Sequence, residues 1–137
     1  MNALVRQSWF FRALLVGALY AAIGVAFAVP TNHVRMWRLA AWLAGAAVYA
    51  AHIAYEKIKL RSSLWSTAMH VAVAASIGGF ALALAATVHS MLVPPTYHRS
   101  RFLLALVVWP IVTGVPAFLV AVVAGAVLGL ILQKRLV

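Results

Sequence analysis

Long apolar runs, broken by short basic connections, set the pattern of this chain. Each run is about 20 residues or more, the length a helix needs to cross a bilayer. The pattern predicts four spans, at about 9–29, 36–56, 64–92 and 102–133. The first is led by Trp9, Phe10 and Phe11 with Arg6 and Arg12 around them, an aromatic belt at a membrane surface. Ala26-Phe27-Ala28 also fits a small-residue cleavage site. The apolar run is long for a signal peptide, so it is read as a retained span.

The second run is rich in small residues, among them Ala40, Ala41, Ala44, Gly45, Ala50 and Ala51. Small residues let helix backbones approach closely in lipid. Residues 56–63 read as a tight basic hairpin, with Ser62 or Ser63 as N-cap of the next helix. The third run carries Gly78-Gly79 and stops at Pro94-Pro95. Residues 96–101 read as a second basic connection. The fourth run holds Pro110 and Pro116, so a kink or break is expected there. Ala121, Gly125 and Gly129 follow at four-residue spacing, a contact face for another helix.

The expected fold is therefore an all-α integral membrane protein. It is one domain, 1–137, with four transmembrane helices in an up-down bundle and the fourth kinked at Pro110 and Pro116. Composition sharpens this. Hydrophobic residues make up 66% of the chain and charged residues 9%, more apolar surface than a water-soluble domain of 137 residues can hide. The net charge of +10 sits at the ends of the apolar runs, where anionic headgroups select it, so nucleic acid is not an expected partner. Four spans place Arg6, Arg12, Lys57, Lys59, Arg61, Lys134 and Arg135 on one side, and Arg35, Arg38, Arg99 and Arg101 on the other. The positive-inside rule then puts both termini in the cytoplasm, in a bacterial inner membrane.

Candidate chemistry concentrates between residues 50 and 71. Glu56 is the sole acidic residue, and His52 and His70 flank it. His52 and Glu56, four apart, share a helical face and are placed to hydrogen-bond. Both histidines lie about 10 Å from the turn by helical rise, so two imidazoles and a carboxylate are expected to meet near the headgroups. Several readings follow. The plainest is structural, with Glu56 paired to Lys57, Lys59 or Arg61 and the histidines holding the hairpin together. The sharpest is a haem b with His52 and His70 as axial ligands. A third is a proton or ion path through His52, Glu56 and His70. The spacing supports no metal site. His33, His89 and His98 read as polar residues of the opposite interface.

The chain has no cysteine, which excludes disulfides and thiol catalysis, and one carboxyl group excludes two-carboxylate chemistry. No catalytic residue is assigned. It shows neither the cysteine pairs of thiol carriers nor the first-helix glutamate of small multidrug transporters, and resembles no small four-span family by motif. The leading expectation is a non-catalytic accessory or structural subunit. It would pack against other membrane proteins, anionic lipid or copies of itself. A haem-binding cytochrome subunit and a Glu56-dependent transporter or channel are the alternatives.

Overall fold

The structure, a computed structural model, describes residues 3–92 and 99–134. The expected stop at Pro94-Pro95, together with His98 and Arg135, lies outside the described residues. Four α-helices follow in order: α1 (Ala3–Ala28), α2 (Val34–Ala54), α3 (Leu64–Leu92) and α4 (Arg99–Lys134). No strand occurs among the described residues. Within these helices, Ser8–Ala28, Leu64–Leu92 and Leu103–Lys134 are long and apolar enough to cross a membrane. At 21 residues α2 has the length, about 32 Å. Arg35, Arg38 and His52 make it more polar than the other three.

α3 is the hub. It packs along α1 on one side and α4 on the other, and α1 does not touch α4 among the described residues. The adjacent pair Gly78-Gly79 serves both neighbours. A Cβ on Gly78 would lie 2.8 Å from Tyr20 Cβ on α1, and one on Gly79 would collide with Thr113 on α4. A Cβ on Gly17 would lie 2.6 Å from Ile77, so α1 and α3 also meet nearly backbone to backbone. Residue order along these contacts gives direction. Trp9 meets His70 and Gly24 meets Leu82, so α1 and α3 run parallel. Gly79 meets Trp109 while Leu64 meets Gly125, so α4 runs antiparallel to α3. α2 returns along α1, and the bundle is up-down-up-down.

α4 runs as one uninterrupted helix through both prolines, so the break considered from the sequence is absent. Hydroxyls tie this stretch to α3. Ser76 donates to the Pro110 carbonyl at 2.9 Å. Thr113 lies 2.8 Å from the Trp109 carbonyl and 3.2 Å from that of Ala75. The carbonyls that the prolines leave without an amide donor are those of Leu106 and Val112, four residues before each. α4 also begins at Arg99, where a connection was expected up to residue 101. Arginine is a good helix former, and an apolar run marks only where lipid begins, not where the helix does.

The small-residue faces divide. Ala121 is buried, and a Cβ on Gly125 would lie 2.9 Å from Leu64. Gly129 and Gly45 have open space where a Cβ would stand, so neither Cβ position meets another helix among the described residues.

Candidate functional site

The basic hairpin expected at 56–63 is shorter than its sequence implies. Beyond Ala54 the chain continues for five residues, Tyr55–Lys59, as a π-helical turn, and only 60–63 is irregular. The Leu60 amide donates to the Tyr55 carbonyl at 3.2 Å and the Ser62 amide to Glu56 at 3.0 Å. Arg61 takes a left-handed conformation, φ 49°, to reverse the chain. α3 then starts on a serine cap: the Ser66 amide donates to Ser63 Oγ at 3.2 Å. Of the two candidate caps, Ser63 takes that role.

Ser62 does something else. Its hydroxyl donates to Glu56 Oε2 at 2.7 Å, and His70 Nδ1 sits 3.1 Å from the same oxygen. Glu56 is 1% exposed. Its pairing with His70 is the one ion-pair contact found among the described residues. The face of His70 is covered in turn by Trp9 of α1, rings 4.7 Å apart and 11° from parallel. Glu56 does not pair with Lys57, Lys59 or Arg61. Lys57 Nζ instead donates to the Ser62 carbonyl at 3.3 Å, while Lys59 and Arg61 are exposed.

His52 is buried at the end of α2, within electrostatic reach of Glu56, His70 and Arg12. The expected hydrogen bond between His52 and Glu56 does not form, and His52 Nδ1 has no partner. The π-turn explains this. Bonding from i to i+5 advances each residue less far around the axis, which carries Glu56 off the face that a four-residue spacing gives in an α-helix. Glu56 is turned toward α3 and the 60–63 loop instead.

Sequence reasoning missed four participants. Trp9 and Arg12 were read as surface belt, and Ser62 as a cap. The up-down order already carried a signal, since it places the start of α1 beside the 56–63 connection. Tyr20 was not singled out, although it is the one hydroxyl within its apolar run. Its hydroxyl and Arg12 Nε are buried without a partner, as is His52 Nδ1. One turn from His52, Tyr49 donates its hydroxyl across the bundle to the Ala117 carbonyl of α4. His33 and His89 are exposed, and His33 forms the left-handed start of α2.

A carboxylate hydrogen-bonded to an imidazole in a nearly closed, low-dielectric site can share and pass a proton. No group of three metal-binding side chains occurs among the described residues. Glu56 takes only the Nδ1 of His70 and Trp9 covers one face of its ring, which leaves Nε2 as the nitrogen a haem iron would need. Comparison with family models, curated proteins and solved structures found no match. Function therefore rests on the chemistry of this site.

Proposed function

We propose that this chain is a four-span protein of a bacterial inner membrane that handles protons, with Glu56 and His70 as the working pair. α2 is the fourth crossing. Both termini and the Tyr55–Lys59 turn face the cytoplasm, following the excess of basic residues at that end. The chain performs no covalent chemistry, and anionic headgroups surround its basic rim.

One observation carries the reading. The only carboxylate in the sequence is 1% exposed and bonded to an imidazole at the end of a lipid-bathed bundle. Burying such a group is costly, and ionisable groups within membrane bundles mark ion and proton pathways. The test is proton flux into vesicles holding the purified protein, driven by an imposed potential and read by an enclosed pH dye. Wild type is expected to conduct, and Glu56→Gln to lose most of the flux while staying folded. Wild-type vesicles no leakier than empty ones would retire the reading.

A second reading has its own support. Gly45 and Gly129 each have open space beside them among the described residues. Such surfaces suit close contact with another membrane helix. An accessory subunit, or a homo-oligomer, would use them. Cross-linking in native membranes through cysteines placed at 45 and 129 tests it. Absence of any cross-linked species would remove it.

A further inference from the structure

The turn that carries Glu56 also holds Lys57, Lys59 and Arg61. Two backbone bonds close it, from the Leu60 amide to Tyr55 and from the Ser62 amide to Glu56, so the three cations share one end of the bundle. The sequence has no acidic side chain to balance them other than Glu56. That carboxylate is buried and turned inward, with Ser62 and His70 on its Oε2. Lys57 is partly held. Its Nζ donates to the Ser62 carbonyl, and its stem lies 4.0 Å from where a Cβ on Gly125 of α4 would stand. Lys59 and Arg61 are exposed and form no ion pair among the described residues. This end of the molecule therefore calls for an anion from outside the chain.

The apolar neighbours decide which anion. Ile58 is 52% and Trp65 65% exposed, and Tyr55 is exposed beside them. Trp65 stacks on Phe118 of α4, rings 6.0 Å apart and 28° from parallel, which braces it against that helix. Tyrosine and tryptophan settle at the headgroup level of a bilayer, and long basic side chains lay their stems on apolar surface with the charge at the phosphates. A turn reaching into water for an acidic protein would gain nothing from an exposed Ile58. We infer that the turn at 55–65 is a binding site for one anionic glycerophospholipid, with its phosphate on Lys59 and Arg61 and an acyl chain along Ile58 and Trp65. The guanidinium fork of Arg61 suits two phosphate oxygens at once, and Lys59 adds a point charge.

A site and a diffuse attraction predict different things. Any membrane protein with excess basic residues attracts anionic lipid, and that attraction follows total charge. A site depends on which charges are removed. Arg35 and Arg38 are exposed on the first turns of α2, outside the 55–65 turn, and supply the matched control. Nothing in the site requires Glu56 or His70 to change protonation, so it stands apart from the proton reading above.

Native mass spectrometry of the detergent-purified chain tests this, with phosphatidylglycerol and phosphatidylcholine of matched acyl chains as probes. The wild type should retain one phosphatidylglycerol in preference to phosphatidylcholine. Lys59→Gln combined with Arg61→Asn should cut phosphatidylglycerol affinity by about 30-fold and leave phosphatidylcholine unchanged. Asparagine accepts the left-handed backbone of Arg61, φ 49°, more readily than most residues, so the turn keeps its shape. Trp65→Ala should weaken both lipids alike. Arg35→Gln combined with Arg38→Gln should leave the preference intact. Thermal stabilisation of the wild type by each lipid carries the test if the turn variant does not fold: the advantage of phosphatidylglycerol should shrink at high salt. Equal retention of the two lipids by the wild type, or equal losses in the two double variants, would overturn the site. Stabilisation by soluble polyglutamate but not by phosphatidylglycerol would overturn it too, in favour of an acidic protein. Proton flux enters none of these outcomes.

Discussion

The α3–α4 interface and the α1–α2 seam are made from similar residues yet end in opposite states. Between α3 and α4, Gly79, Gly114 and Ala121 bring the backbones together. The hydroxyls there, Ser76 and Thr113, both find carbonyls, among them that of Pro110 and that of Trp109 before it. On α1 and α2, a Cβ on Gly45 would enter open space, and among the described residues an arginine, a tyrosine and a histidine hold buried atoms without partners. In lipid, association depends on packing and internal hydrogen bonds rather than on release of water. The first region satisfies both demands and holds the bundle. The second satisfies neither fully.

The sharpest way to probe the boundary between the regions is Glu56, which links the α2 end to the loop and to α3. Replacing it by alanine strands His70 and Ser62 and should cost about 3–5 kcal/mol, the range for breaking a buried pair. Reversible unfolding in mixed micelles would measure it. A loss below about 1 kcal/mol would mean that the pair does not hold the hairpin, and the structural part of its role would fall. Next in size is a pair of leucine substitutions. Gly79→Leu forces side-chain bulk into Thr113 and should cost about 1–3 kcal/mol by overpacking. Gly45→Leu enters open space and should leave the isolated chain's stability within about 0.5 kcal/mol. Equal losses at both positions would erase the contrast.

How far the sequence could be read follows the same division. Helix positions were legible because lipid demands uninterrupted apolar length, and that demand is written residue by residue. Their ends were less so: Arg99 and the Tyr55–Lys59 turn are helical although polar, since backbone hydrogen bonding does not consult hydropathy. The proximity of His52, Glu56 and His70 followed from counting helical rise on either side of one turn. The partner choice did not. A five-residue π-turn redirected Glu56 from His52 to His70, and nothing in YEKIK announces it. Arg12, Trp9 and Tyr20 joined through the third dimension, by the packing of α1 on α3, which a pattern along the chain does not contain.

The smallest effect separates the two regions most cleanly because it predicts a change of sign. Thr113→Val keeps the shape and removes a hydroxyl that bridges α4 to the Ala75 carbonyl of α3. Hydrogen bonds between membrane helices are worth about 0.6 kcal/mol on average, so a loss of that order is expected. His52→Leu also replaces a buried polar side chain by an apolar one of comparable reach. There it removes an orphan nitrogen rather than a satisfied group, and no bonded partner is left behind. It should be neutral or stabilising, by up to about 1 kcal/mol. Measured in one micelle system at one pH, the two variants should fall on opposite sides of the wild type. If His52→Leu is instead the more destabilised, His52 already has a partner, and the seam is no more open than the α3–α4 interface.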